Sequence, residues 1–160
     1  MIQRIQSVYF LLAAILITLP FFLNIAGITG VNGISISFNA MEFNSTEVVI
    51  GDTFLVLPKI LSLTISSIIA IILLILALFL YKNRPIQIRL TRITIVLLAT
   101  IIAQNILIVE ETIKYMGGLG CTRSYAIGFI LPIIAIVFIV LAMKSIKKDE
   151  ALVKSMNRIR

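Results

Sequence analysis

Histidine and tryptophan are absent from this chain of 160 residues, cysteine occurs once, and charged residues make up only 13% of it. Without histidine, the chain cannot form a histidine-based catalytic triad or a histidine metal site. The single Cys121 excludes an intrachain disulfide and paired-cysteine redox chemistry; it is expected to be a free or buried thiol, with an intermolecular disulfide as the alternative. The inventory therefore predicts no enzyme activity, cofactor or metal.

Hydrophobic residues make up 60% of the chain, against roughly 45–50% in soluble domains. Four apolar segments, none of them containing a carboxylate, cover residues 8–28, 60–81, 93–109 and 125–143. Each falls within the roughly 17–25 residues of a membrane-spanning helix, whereas buried strands run about 4–8 residues. The sequence predicts one all-α domain over residues 1–160, a bundle of four transmembrane helices. The first segment could instead be a cleaved signal peptide, but it exceeds the roughly 7–15 residues of a signal core and is interpreted as a retained anchor.

The basic residues predict which side of the membrane each end occupies. If the N-terminus, residues 82–92 and the tail 144–160 are cytoplasmic, that side holds 11 of the 14 basic and two of the seven acidic residues, a net charge of +9. The other side holds three basic and five acidic residues, a net charge of −2. Since Lys and Arg accumulate on cytoplasmic flanks, both termini are predicted to be cytoplasmic.

The loop 29–59 is the long segment predicted outside the membrane on the far side. Ile34, Ile36 and Phe38 alternate with polar residues, and the segment 47–57 is rich in Val, Ile and Phe. With Asn44-Ser45-Thr46 as the turn between them, the pattern predicts a small extracytoplasmic β-hairpin. The same tripeptide also fits a glycosylation acceptor.

The tail 144–160 is predicted to be a basic cytoplasmic helix. Lys147, Lys148, Lys154 and Arg158 lie largely apart from an apolar face that includes Ile146. Such a helix either continues the fourth span or lies on the membrane surface, where the cations would contact anionic lipid headgroups. A topology determinant with a solvated face and a site for a protein partner are the alternatives; no nucleic acid partner is expected.

Strongly polar residues inside the spans are the candidate site. Asn24, Gln104 and Asn105 are predicted at similar depth, where they could hydrogen-bond one another and join spans one and three, or line a binding pocket. Glu110 and Lys114, at the end of the third span, have the spacing of a helical ion pair.

Small residues and prolines mark expected packing features. Ser62, Ser66 and Ala70 recur every four residues along the second span, which allows close helix approach. Pro20 and Pro132 are expected to kink the first and fourth spans.

Two terminal stretches carry a family resemblance: Met1–Gln6, which reads Met-Ile-Gln-Arg-Ile-Gln, and Lys148–Ser155, which begins Lys-Asp-Glu-Ala-Leu-Val. Together they resemble a bacterial domain-of-unknown-function family of short four-span integral membrane proteins, over the whole chain. The resemblance implies a multi-pass protein of the bacterial inner membrane. It also implies that the two cytoplasmic ends are contact elements, and it implies no catalytic residue.

The function expected from these observations is that of a non-enzymatic accessory or structural subunit of a membrane assembly. Its expected partners are the lipid bilayer and another protein or a second copy of this chain. The alternative is a small transporter or channel that uses the intramembrane amides Asn24, Gln104 and Asn105. An enzyme acting on lipid ranks third, because no acid–base pair is visible.

Overall fold

The computed structural model describes residues 3–30, 33–45, 53–80, 83–116 and 120–157, and about three quarters of these are helical. The helices are α1 (Gln3–Thr18), α2 (Thr53–Phe79), α3 (Arg84–Tyr115) and α4 (Ile127–Asn157), with a 3-10 turn at Leu19–Phe21. The strands are β1 (Ala26–Thr29), β2 (Ser35–Phe38), β3 (Phe43–Ser45) and β4 (Thr122–Tyr125).

Within the described chain, three helices are long and apolar enough to cross a membrane: Pro58–Phe79, Arg84–Tyr115 and Ile127–Ala151. The 22 residues of the first rise about 33 Å, slightly more than the roughly 30 Å hydrocarbon layer. The α3 helix extends well beyond the predicted span 93–109, because Pro85 in its first turn suits a helix start. The α4 helix continues through the basic tail as far as Asn157, as one of the two expected arrangements.

The first helix is shorter than the predicted span 8–28. The apolar stretch Ile5–Phe21 consists of most of α1 and the 3-10 turn that follows it. Pro20 lies in this closing turn and not at a kink within a span. Phe22 and Leu23 both donate main-chain N–H groups to the Leu19 oxygen, each at 3.0 Å. Residues 26–28, predicted as the end of the span, belong to β1.

The four helices pack in a ring in which α1 and α3 each contact α2 and α4. Small side chains permit close approach, and Ala13, Ala70 and Ala135 are completely buried. On the predicted small-residue seam of α2, Ala70 and Ser66 are buried, whereas Ser62 is exposed. Large aliphatic side chains on all four helices point outward, as in a protein surrounded by lipid: Ile5, Val8, Leu11, Leu61, Ile65, Ile93, Val96, Leu107, Ile130 and Val137.

A four-stranded antiparallel sheet covers the helix ends, in the order β3-β2-β1-β4. The predicted strand at Ile34–Phe38 is present, but its partners differ from the expected hairpin. It pairs with β1 on one side and β3 on the other. Residues 53–57 of the expected second strand begin α2, and residues 46–52 lie outside the described chain. Asn44 and Ser45 lie in β3 rather than in a turn.

The turn between β1 and β2 requires glycine at one position. Gly33 has a φ of 77°, a left-handed conformation that side chains with a Cβ rarely adopt. Its N–H donates to the Gly30 oxygen at 3.2 Å, and the Gly30 N–H donates to the Ile34 oxygen at 2.9 Å. These bonds close the hairpin and fix the register in which Thr29 lies opposite Ser35.

The fourth strand comes from the other half of the chain, between α3 and α4. It pairs with β1, so that Ala26 lies opposite Tyr125 and Thr29 opposite Thr122. The preceding Cys121 is a free, half-buried thiol, and its Sγ lies 3.9 Å from the main-chain oxygen of Met116.

Hydrogen bonds to main-chain oxygens hold the sheet against the helices. The Ala40 N–H donates to the Pro20 oxygen at 2.9 Å, and the Thr64 hydroxyl of α2 donates to the Ala40 oxygen. The Gly128 N–H at the start of α4 donates to the Asn24 oxygen at 3.1 Å. We call this end of the molecule the sheet end, and the opposite end, where α1 begins and α4 ends, the terminal end.

Candidate functional site

Buried polar side chains join the helices at the terminal end. The Gln6 side-chain amide of α1 donates to Oδ2 of Asp149 in α4, and the two side chains are only 7% and 8% exposed. Arg84, the first residue of α3, donates from Nη1 to the main-chain oxygen of Asp149 at 3.3 Å. Because a buried polar group without a partner is costly, these bonds hold three helices in one arrangement.

Gln87, three residues after Arg84 on α3, joins that helix to the remaining one, α2. Its side-chain amide donates to the main-chain oxygen of Ala77 in α2 at 3.0 Å, and its side chain is buried. The last turns of α2 offer main-chain oxygens that have no partner within their own helix, and Gln87 satisfies one of them. We call Gln6, Arg84, Gln87 and Asp149 the polar clasp.

The sequence analysis did not predict the polar clasp, although Gln6 and Asp149 lie in the two terminal stretches that carry the family resemblance. Gln6 ends the distinctive first stretch and Asp149 belongs to the distinctive tail, 143 positions away. The helical period was the available signal, since Asp149 follows the inward-facing Ile146 by three residues and so shares its face.

The exposed surface of the terminal end is basic. Lys144, Lys147 and Lys148 of α4 are exposed, as are Arg89 and Arg92 of α3. The predicted division of the tail into an apolar and a basic face therefore holds from Lys144 to Lys148. The side chains of Lys154 and Arg158 lie outside the described part of the chain.

At the sheet end, two ion pairs join α3 to its neighbours. Lys59 of α2 pairs with Glu111, and Arg123 of β4 pairs with Glu110, with Nη1 and Oε1 2.6 Å apart. The expected partner of Glu110 was Lys114, one helical turn further along. Among the described residues, Lys114 has no carboxylate within ion-pair distance. The sheet explains the difference, because β4 carries Arg123 onto the end of α3.

The three predicted amides have three different environments. Asn24 is exposed in the segment after α1, and its main chain, rather than its side chain, bonds to α4. Gln104 faces α2, where its Oε1 lies 3.1 Å from the Ser66 hydroxyl, which donates to it. Asn105 is 1% exposed and points into the bundle. Since successive residues are about 100° apart around a helix, adjacent amides cannot both face the same neighbour.

The Asn105 side chain borders a small internal cavity between all four helices. Oδ1 of Asn105 has no donor among the described residues. The cavity measures about 10 Å³, close to the volume needed for one water molecule, and Ile17, Ser67 and Pro132 are among its lining residues. A polar solute larger than water does not fit there in this conformation.

Aliphatic side chains separate this amide from the polar groups at the terminal end. Along the inward face of α3, Leu98 and Ile101 lie between Thr94 and Asn105, and both are buried. The Thr94 hydroxyl donates to its own helix, to the Leu90 oxygen at 3.0 Å. The described side chains therefore form no continuous polar path along the middle of the bundle.

Comparison with known proteins places the chain in a family. No curated protein matches it. A family model described as a domain of unknown function, DUF4293, matches residues 2–159, and the match includes both Gln6 and Asp149. The resemblance inferred from the two terminal stretches is thus confirmed, and those stretches contain the two side chains that meet in the polar clasp. The chain belongs to the DUF4293 family of domains of unknown function.

Proposed function

We propose that this protein is a non-enzymatic accessory or structural subunit of an assembly in the bacterial inner membrane, and that its partner binds at the sheet end. One observation carries the proposal: β4 lies at an edge of the sheet, and all four of its residues are exposed. Among the described residues, it pairs with β1 alone. An exposed edge strand offers main-chain donors and acceptors to a strand of another protein.

The register of β4 tells which main-chain groups face the open edge. Ala126, directly after the strand, donates its N–H to the Ile25 oxygen at 3.0 Å. Because N–H groups alternate in direction along a strand, those of Thr122 and Ser124 also point toward β1. The N–H groups of Arg123 and Tyr125 consequently point toward the partner's position.

We further propose that all four helices cross the membrane, with both termini cytoplasmic. The apolar stretch Ile5–Phe21, which joins most of α1 to the 3-10 turn, has 17 residues and rises about 25 Å, so it nearly spans the hydrocarbon layer and needs little local thinning. Exposed aliphatic side chains run along it as they do along the other three helices. The exposed cations at the terminal end favour the cytoplasmic side for that end.

The same orientation supports contact between the tail and anionic lipid headgroups. Lys147 and Lys148 are exposed where α4 leaves the bilayer, and Lys154 and Arg158 continue the basic sequence. Each cation near an anionic membrane surface contributes about 1 kcal/mol of attraction. This contact supplements the partner site at the sheet end and does not replace it.

A pair of variants tests the partner site. Arg123→Pro removes an N–H that faces the open edge, and Arg123→Ala removes the same ion pair with Glu110 while keeping the N–H. Purification from native membranes is expected to recover a stoichiometric partner with the unmodified chain and with Arg123→Ala, and to lose it with Arg123→Pro. A photo-crosslinking residue at Thr122 should capture the same partner, whereas one at Ile93 on α3 should not.

Two results would overturn this proposal. One is equal recovery of the partner by the alanine and proline variants. The other is a protein that purifies alone and whose deletion leaves every membrane complex intact.

Transport through the bundle is the second candidate, and the buried Asn105 amide without a protein donor is the observation that favours it. The aliphatic residues on the inward face of α3 weigh against a permeation path in the single chain. Leu substitutions at Asn24, Gln104 and Asn105 should abolish solute uptake in reconstituted vesicles if this candidate is correct. Equal uptake by the variants excludes it.

A further inference from the structure

A groove runs between α2 and α3 at the sheet end and continues over the end of α3. Its deeper part has a volume of about 180 Å³ and is lined by Lys59, Ser62, Gln104, Leu107, Ile108 and Glu111. A shallower depression of about 300 Å³ adjoins it, lined by Glu111, Lys114 and Tyr115. Glu111 lines both, so the two depressions adjoin at its side chain, and we call them together the α2–α3 groove.

Charged groups line both parts of the groove. Lys59 and Glu111 form an ion pair through Oε2 of Glu111, an atom that is itself buried, while the two side chains as a whole remain 37% and 34% exposed. Lys114 adds a second ammonium group, and among the described residues no carboxylate pairs with it. Two cations therefore flank one carboxylate, an arrangement that complements a ligand carrying both an anionic and a cationic group.

Apolar side chains also line the deeper part of the groove, on the side that faces lipid. Leu107 is 59% exposed along its wall, and Ile108 forms part of its floor. Leu61 and Ile65 on the neighbouring α2 are also exposed. A hydrocarbon chain placed against Leu107 would thus stay in contact with the apolar surface of the bundle.

We propose that the α2–α3 groove binds one glycerophospholipid whose headgroup carries a phosphate and a primary ammonium, as phosphatidylethanolamine does. The phosphate accepts hydrogen bonds from Lys114 and Lys59, the ammonium donates to Oε1 of Glu111, the oxygen that does not pair with Lys59, and one acyl chain lies along Leu107. A headgroup without an amine leaves Glu111 facing the phosphate, and a trimethylammonium headgroup has no N–H to donate. The inference rests on the proposed position of the helices in a bilayer, and it is independent of the partner at β4.

The test uses the full chain purified in detergent, stripped of lipid, and titrated with defined lipids by native mass spectrometry and thermal denaturation. Phosphatidylethanolamine is expected to bind at least tenfold more tightly than phosphatidylcholine or phosphatidylglycerol of the same acyl composition. Glycerophosphoethanolamine, which has the same headgroup and no chains, should bind at least a hundredfold more weakly. Equal binding of the three lipids, or equal binding of the chain-free headgroup, would overturn the proposal.

Variants assign the preference to named residues. Lys114→Gln should weaken phosphatidylethanolamine binding about tenfold, the effect of losing one charge-assisted hydrogen bond. Glu111→Gln should remove the preference over phosphatidylcholine. Arg92→Gln, which removes one cation from the other end of α3, is the matched control and should bind like the unmodified chain.

The two proposals fail separately. If Glu111→Gln does not fold, Lys114→Gln decides the matter, because the exposed Lys114 makes no ion pair in the described chain. Unchanged lipid binding by Lys114→Gln refutes the lipid site and leaves the partner proposal standing. Loss of the partner with Arg123→Pro, together with an intact lipid preference, shows that the two surfaces are distinct.

Discussion

Replacing Gln6 or Asp149 in the polar clasp should destabilise the helix packing in a way that a double replacement largely cancels. In Gln6→Leu, the Asp149 carboxylate stays buried and loses its amide donor, so the free energy of unfolding should fall by about 1.5–3 kcal/mol. Asp149→Leu leaves the Gln6 amide unpaired and should cost about 1–3 kcal/mol. Arg84 keeps its bond in both variants, since it contacts the main-chain oxygen of Asp149.

The double variant places two apolar side chains where the hydrogen bond was. Its loss of stability should be smaller than the sum of the single losses by about 1–1.7 kcal/mol. Polar contacts between membrane helices average about 0.6 kcal/mol in such cycles and reach about 1.7. The Gln6–Asp149 contact belongs at the upper part of this range, because it is buried and involves a carboxylate.

Reversible unfolding in mixed detergent micelles, followed by circular dichroism, measures all four proteins of the cycle under one condition. Lys147→Leu, two residues before Asp149 and on the exposed face of α4, controls for the general effect of a leucine near the tail. Independent sites add within about 0.3–0.5 kcal/mol. A coupling energy below about 0.5 kcal/mol would refute the conclusion that this bond holds α1 to α4.

Three further predictions concern backbone space, a side-chain contact and topology. A Cβ on Gly128 would lie 2.6 Å from the main-chain oxygen of Asn24, so Gly128→Ala should lower the free energy of unfolding, measured by thermal denaturation, by about 1–3 kcal/mol. Gly30→Ala is the control, because a Cβ there meets the flexible end of the Met116 side chain, and its stability should stay close to that of the unmodified protein. Equal losses of stability in the two variants would contradict the packing described here. Thr64→Val should cost about 1 kcal/mol by removing the hydroxyl donor to Ala40, and an unchanged unfolding midpoint would show that this contact is dispensable. Reporter fusions at the two termini should both be active in the cytoplasm, and activity on opposite sides would refute the proposed four crossings.

Sequence reasoning located the long helices because their signal is local and strong. The uninterrupted apolar runs 60–81 and 125–143 lie mostly within α2 and α4, and the run 93–109 lies wholly within α3. It missed three of the four strands for the opposite reason, and the third of these, β3, covers Phe43–Ser45, where the turn of the expected hairpin was predicted. The four residues of β1 continue an apolar run, and the four of β4 have no alternating pattern. Each becomes a strand by pairing with the other, across more than 90 residues of chain.

The candidate sites show the same division between local and distant information. Helical spacing placed Lys114 beside Glu110, but the observed partner is Arg123, which arrives from β4. Similar depth in the membrane suggested that Asn24 could meet Gln104 and Asn105, but the helix ends before Asn24, and depth does not tell which way the other two side chains point around α3. Facing directions become known only when the neighbouring helices are in place.

The pairing between the two ends of the chain bears on how the protein is made. Gln6 is synthesised with the first helix, whereas Asp149 follows 143 residues later. Until then α1 lacks α4, the neighbour that holds its polar end, and β1 lacks the strand that completes its side of the sheet. A nascent chain interrupted after the third helix therefore exposes an unpaired amide and an open strand, the kinds of surface that membrane-bound proteases and chaperones encounter in incomplete products.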